Sequence, residues 1–313
     1  MPQAQQRPAH RRMNPSKSNA RPRHWVKQRI PWPAKFAIKL LLGATRINYR
    51  LLKRAGVVEH GLMEDANYAR RVFELHVLAP ARQWNSAPDG VLLEIGPGDS
   101  IVTGVLGRAA GFSAVNLIDT SAFADLRVAT VVRLLETLGS GPQVLRSKAS
   151  PEEVLAHLRS HGIHYQTEGA RSLTTIADAT VRHSFSNTVL QHVYACEVRE
   201  LITQLARVHV RGGLSSHRIN FTDHFSGGFR HRQLPDWLME SHLIKRAHLY
   251  TNRIGPLQYL ELFERAGFVI RRLTVNFFDA APPDSVDLSS GAEFRAANAE
   301  RPVRDATYLL QRV

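Results

Sequence analysis

The chain has a single cysteine, Cys196, among 313 residues. No internal disulfide can form, which suits a reducing compartment, and the expectation is a cytoplasmic protein. No apolar run approaches the roughly 18–20 residues of a bilayer span, no internal repeat is present, and no secretory h-region follows the Arg-rich start. Acidic residues are missing altogether before Glu59. That absence accounts for the net charge of +14: residues 1–58 hold 14 Lys and Arg, and the rest of the chain balances 27 bases with 27 acids. The body is neutral and the excess lies on a leading arm. The body also lacks a basic stripe interleaved with aromatics, which argues against a nucleic-acid track.

Three parts follow from composition. Residues 1–23 are rich in Pro, Gln, Asn, Ser and Arg, and read as a disordered basic tail. Residues 24–84 read as a basic, amphipathic helical extension. From Pro33 to Leu42 its lysines stand four apart among apolar residues, with Trp25 and Trp32 ahead of them. Such a segment, over residues 24–54, suits an anionic membrane surface, peripherally at the inner face; the rival is a helix packed across the body with its lysines in water. Asp65 is placed to cap a helix through Tyr68, Val72, Phe73 and Val77. Residues 85–313 are expected to form the body as a single domain.

That body is organised around Val91–Ser100, VLLEIGPGDS. Val91, Leu92 and Leu93 form a short buried strand, Glu94 closes the run, and Gly96 and Gly98 flank Pro97 in a sharp turn that lets backbone approach a ligand. Ile101–Ala110 continues at helical spacing. The third glycine of G-x-G-x-x-G is absent, because position 101 is Ile. Asp119 ends a second strand, Ala114–Ile118, where an acid binds ribose hydroxyls. Helices are expected at Phe123–Leu138, Pro151–His161 (with a Ser150–Glu153 capping box), Val189–Val208 and Leu257–Gly267. Further strands are expected at Ile163–Tyr165, Thr180–Asn187, Leu214–Ile219, Phe268–Phe278 and Ala306–Val313, with a loop over Asp279–Ser290.

LEIGPGDS followed by NLID resembles the first two motifs of class I S-adenosylmethionine-dependent methyltransferases. SNTVLQHV and RVHVRGG resemble later motifs of that family, with Arg182, Gln191 and Arg211 as departures. The resemblance implies a Rossmann-like, doubly wound α/β sheet of seven strands with an antiparallel last strand. It implies S-adenosylmethionine as cofactor, held by Glu94, Gly96, Pro97, Gly98, Ser100, Asp119, Ala170, Ser186 and Asn187. GLMEDANYARRVFELH resembles, more loosely, a segment of bacterial methyltransferases associated with cell-surface glycan genes, which implies a small-molecule or glycan hydroxyl as acceptor.

Methyl transfer to oxygen needs a base, and histidine titrates in the right range. His224, His217 and His192 lie at the expected mouth, with Asp223 as an acid partner and Asn252 and Arg253 closing the pocket. A metal held by His217, His224 and Asp223 matches no established ligand spacing, so no metal is expected. The tip Ser186-Asn187-Thr188 is not the D/N-P-P-Y of amino methyltransferases, and Cys196 lies within a helix, outside any Pro-Cys loop. Two rival classes stand beside the leading one: a nucleic-acid-binding protein or RNA methyltransferase gripping phosphate through its basic arm, and a methyltransferase fold that binds cofactor without catalysis.

Overall fold

The computed structural model describes residues 31–44, 62–137, 145–278, 285–297 and 302–313. The tail at 1–23, the flanks of the basic segment and the Gly139–Pro142 break lie outside the described residues.

An eight-stranded sheet runs in the order β3-β2-β1-β4-β5-β8-β6-β7. β1 (Val91–Ile95) pairs in parallel with β2 (Ala114–Ile118) and β4 (Val181–Asn187), and β3 (Ile163–Gln166) and β5 (His209–Asn220) extend the parallel part. β8 (Val303–Arg312) inserts antiparallel between β5 and β6 (Phe268–Phe277), and β7 (Ser285–Leu288) adds an antiparallel edge. The Rossmann-like doubly wound class expected from sequence is therefore present. The strand count is eight rather than seven, because part of the Pro- and Asp-rich stretch read as a loop pairs with β6.

Alternation along the strands builds a core on each face. Leu92, Val115 and Leu117 pack with Val105, Val131 and Leu158 on one side. Leu93, Ile95 and Val181 pack with Val198, Leu201, Leu205 and Phe263 on the other. α1 (Trp32–Ala44) precedes the sheet, and α2 (Ala66–Phe73) runs through a π turn (Glu74–Leu78) into α3 (Ala79–Gln83). Asp65 caps α2 by accepting from the Tyr68 N–H at 2.8 Å. α4 (Val102–Ala110) follows β1, α5 (Val128–Glu136) follows β2, and α6 (Pro151–Ser160) begins at the Ser150–Glu153 capping box. α5 starts later than its apolar spacing suggests, because Asp125, Tyr165 and backbone turns hold residues 121–127 in a loop.

The expected helix at Val189–Val208 is split into a 3-10 turn (Leu190–His192) and α7 (Ala195–Val208). The break is held by Asn252, whose side-chain amide donates to the carbonyls of Leu190 and Val193. Beyond β5 come α8 (Asp236–Met239), α9 (His242–Arg246) and α10 (Pro256–Arg265), and α11 (Gly291–Ala297) follows β7. A third apolar cluster caps the carboxyl ends of the strands: Phe225, Met239, Ile244, Leu249 and Tyr250 receive Trp32, Phe36 and Leu40 of α1. The Phe36 ring meets Phe225 edge-on at 4.9 Å. Of the two readings of the basic segment, the packed helix describes this inner side of α1.

Candidate functional site

The carboxyl tips of β1, β2, β4 and β5 converge at the switch point where connections diverge to either side of β1, the place where such sheets bind ligands. Gly96 and Gly98 both take positive φ, +76° and +66°, which only glycine adopts cheaply. Gly96 also accommodates Val189 of the β4 loop: a Cβ there would lie 2.4 Å from Val189 Cγ2. Asp119 reaches over the turn. Its carboxylate accepts from the Gly98 N–H at 3.0 Å and the Thr120 N–H at 2.7 Å, and its own carbonyl accepts from Gly169 at 2.8 Å. The three loops are thus tied together through one residue, with Ala170 half-buried in the third.

Glu94 is buried, and its Oε2 has no hydrogen-bond partner; the Thr103 hydroxyl beside it is also unpartnered. Burial pushes Glu94 up to about 8, partly offset by the nearby Thr103 hydroxyl and reinforced by the Asp119 charge, and burial pushes Asp119 up to about 6. An orphaned carboxyl oxygen beneath a glycine turn is a costly arrangement in a dry core and an ordinary one beneath a polar ligand. Ser100 keeps its Oγ near the Val102 N–H, at 3.2 Å.

The other predicted residues divide. Ser186 does not face the mouth: its Oγ meets His217 Nδ1 at 2.8 Å inside the sheet. His217 is fully buried, stacks on Phe263, and gives its other ring nitrogen to Ser215 at 2.7 Å. With both nitrogens engaged, it offers no lone pair to an acceptor. Asn187 does stand at the tip, donating to the Tyr68 hydroxyl at 3.1 Å. Asp223 folds its own loop, accepting from the N–H groups of Phe225, Ser226 and His231. Against the upward push of burial, the His231 ring beside it, then the bonds from Ser226 and the His231 N–H, hold it down to about 2. It does not pair with the His224 ring. Arg253 binds the carbonyls of His231 and Leu234 and pairs with Asp236. Asn252 is the staple of the β4 loop and also donates to the Tyr259 hydroxyl at 2.9 Å. Asn252→Ala would leave the Val193 carbonyl without this donor, while the Leu190 carbonyl keeps the Tyr259 hydroxyl and the Val193 N–H, and is expected to cost about 1–2 kcal/mol, read as a drop in denaturant midpoint at unchanged slope.

The structure brings His192 and His224 together instead. Their Nε2 atoms lie 2.9 Å apart and their rings stack at 4.8 Å. His192 Nδ1 sits 2.7 Å from the Tyr250 carbonyl, so that nitrogen carries the hydrogen. His192 Nε2 is then an acceptor, approached by the Gln191 side-chain amide at 3.3 Å as well as by His224 Nε2; assigning the hydrogen of that contact to His224 Nε2 leaves His224 Nδ1 with a lone pair. Desolvation lowers both rings; at His224, which remains exposed on the surface, the neighbouring His192 and then the Lys39 charge lower it further.

No protein-family model and no curated protein matches this chain. Solved structures similar to it include an S-adenosylmethionine-dependent methyltransferase from Methanosarcina mazei (15% identity, 75% of this chain and 97% of that one, TM-score 0.42). A second, from Mesorhizobium loti, has 14% identity over 75% of this chain and 96% of that one, with a TM-score of 0.41. The geranyl diphosphate C-methyltransferase of Streptomyces coelicolor, solved with S-adenosyl-L-homocysteine, has 14% identity over 75% and 79%, with a TM-score of 0.40.

Sequence reasoning did not single out Tyr68, His76 or Val189 as part of this region. Tyr68 had a signal in its helical spacing, but as core. His76 lies in the π turn, stacks on Phe185 and meets Ser216, 140 positions away, at 2.8 Å. Thr188, at φ +59°, is a strained non-glycine at the β4 tip. Among the described residues no group of three metal-ligating side chains converges.

Proposed function

We propose that the chain binds S-adenosylmethionine at the tips of β1, β2 and β4 and transfers its methyl group to a hydroxyl of a small-molecule or glycan acceptor. The observation that supports this most is the turn itself: two positive-φ glycines, the orphaned Glu94 oxygen and the Asp119 carboxylate meet at the switch point. These residues fit a cofactor with a ribose diol and an amino-acid end. Asp119 suits the ribose hydroxyls, and the Gly96–Gly98 backbone with Glu94 suits the methionine end. When bound, the cofactor supplies an electrophilic methyl group on a sulfonium.

The protein's part is to hold the acceptor oxygen in line and take its proton. His224 Nδ1 is the base in this reading. His192 is a positioning residue, fixed by the Tyr250 carbonyl and accepting from His224 Nε2–H. His224 is held down to about 3, which keeps it neutral at neutral pH but also makes it a weak base, so its assignment rests on its position beside His192 and not on its proton affinity. Val189, seated on Gly96, ties this pair to the cofactor turn three residues upstream. The hydroxyl acceptor, and the glycan class in particular, follow the motif resemblance.

Calorimetry with S-adenosylmethionine and its demethylated product tests the cofactor. The wild type is expected to bind both, and Asp119→Ala to bind at least about tenfold more weakly, the scale of one charge-assisted hydrogen bond. A wild type that binds neither overturns the reading. With an acceptor in hand, His224→Ala is expected to lower kcat about 100-fold or more while leaving cofactor affinity intact; full activity removes His224 as base.

A further inference from the structure

α1 has two apolar sides, and only one is covered. Trp32, Phe36 and Leu40, four apart, face the cluster around Phe225. On the opposite side, by helical spacing, lie Ala34, Ala37, Ile38 and Leu41, all exposed, with Ile38 at 48% and Leu41 at 70%. A helix on a water-facing surface places polar residues there. The only charged residues of α1, Lys35 and Lys39, sit half-buried along its flank instead. α9 packs along α1 and exposes Leu243, and α8 beside it exposes Trp237 at 76%. Scattered apolar side chains on a surface are ordinary; four large ones on three adjoining short elements, with an apolar strip among them, mark an interaction surface.

Among the described residues, the acids beside it are each paired with a base, and the unpaired exposed charge is positive. The acids of this region, Asp236 and Glu240, are paired with Arg253 and Lys245. His242 and Arg246 are exposed. The segment containing α1, residues 1–58, brings 14 cations and no acid. A nucleic acid would meet the charge but leave Ile38 and Leu41 in water. A second copy of the chain would meet the apolar strip but bring the same positive charge to the same face.

We propose that the outward side of α1, with Trp237 and Leu243, docks on an anionic lipid bilayer. Aliphatic side chains enter the boundary of the acyl region, the indole sits at headgroup level, and the exposed Arg246 meets the negative surface. The inner side of the same helix covers Phe225, the neighbour of His224, so docking sets the histidine pair about one helix diameter, roughly 10 Å, from the headgroups. A lipid-tethered acceptor would then be presented to it.

Co-sedimentation of the full-length protein with vesicles tests the surface, independently of turnover or cofactor binding. Vesicles of equal parts phosphatidylcholine and phosphatidylglycerol are expected to bind, and phosphatidylcholine alone to bind more than about tenfold more weakly. Ile38→Asp with Leu41→Asp should weaken anionic-vesicle binding at least about tenfold, and Trp237→Ala at least about threefold, without changing the melting temperature. No vesicle binding by wild type overturns the proposal. So does equal binding by the double variant, which would leave the arm's charge as the sole attachment. A lowered melting temperature of the double variant would mean that the chain itself covers the strip, and a dimer lost in that variant would mean that a second copy does; either result overturns it.

Discussion

Gly96→Ala is expected to destabilise the protein by about 2–5 kcal/mol and to abolish cofactor binding. Two separate costs meet at this position. The backbone sits at φ +76°, where a Cβ costs about 1–2 kcal/mol. The new methyl would also lie 2.4 and 2.7 Å from the two γ carbons of Val189. Neither group has a flexible end to swing away, and forced overpacking of this kind costs about 1–3 kcal/mol. Gly227 provides the control. It has nearly the same φ, +71°, with nothing within 4 Å of the added Cβ, so Gly227→Ala should show the backbone cost alone. Adding Val189→Ala to Gly96→Ala should recover part of the loss, because it removes the clash and leaves the strain. Chemical denaturation of the three variants separates the terms, and equal effects at Gly96 and Gly227 would refute the role of Val189. The functional loss follows from displacement of the Gly96–Gly98 turn, whose backbone holds the cofactor in the proposed reading.

This pair of residues also shows what the amino-acid sequence reveals and what it hides. VLLEIGPGDS announces a strand, a turn and a ligand edge through local features: an apolar run, two glycines and an acid. Asp119 is legible because its strand is equally plain, and its bond to the Gly98 N–H is the physical form of the two-motif pattern. The missing third glycine is explained by what that glycine does, which is to let the helix approach the sheet. Ile101 is buried in its place, and the close approach comes later in α4. Gly104 faces Ile163 and Leu117, and Gly107 faces Val115 and Leu92, with no room for a Cβ at either. The histidines were legible as residues at the mouth but not in their roles. Whether a strand histidine points into the core or toward solvent depends on register, and His217 turned inward to Ser186 and Ser215. The His192–His224 contact joins two loops 32 positions apart. It depends on the helix break that Asn252 imposes from a third loop, and no local pattern encodes it. The edge strand β7 was hidden for a related reason: its four residues are held by pairing with β6, not by their own propensity.

The second large effect is expected from acid. Burial lowers His76, His183 and His209 to about 4 and His217 to about 3. An unfolded chain protonates the same rings near 6.5. As pH falls below that value the unfolded state takes up protons that the folded state refuses, so stability falls. Between pH 7 and pH 5 each ring costs about 2 kcal/mol, about 8 kcal/mol for the four. Glu94 and Asp119 act in the opposite direction. They hold protons in the folded state up to about 8 and about 6, whereas the unfolded carboxyls lose theirs near 4. Their burial therefore weakens the fold at neutral pH and is relieved on acidification, returning about 4 kcal/mol over the same interval. The net loss is about 4 kcal/mol at pH 5 and grows to about 7 kcal/mol near pH 4, because the carboxyl gain levels off while the histidine cost continues. Set against a typical domain stability of about 5–15 kcal/mol, a loss of this size removes from about half to all of the stability near pH 4. Denaturant titrations at pH 7 and pH 5 measure the difference directly, and equal free energies would refute it. Glu94→Gln separates the two signs: with the carboxyl's compensation removed, the loss from pH 7 to pH 5 should grow by about 2–3 kcal/mol, whereas an unchanged loss would show that Glu94 is ionised in the folded protein.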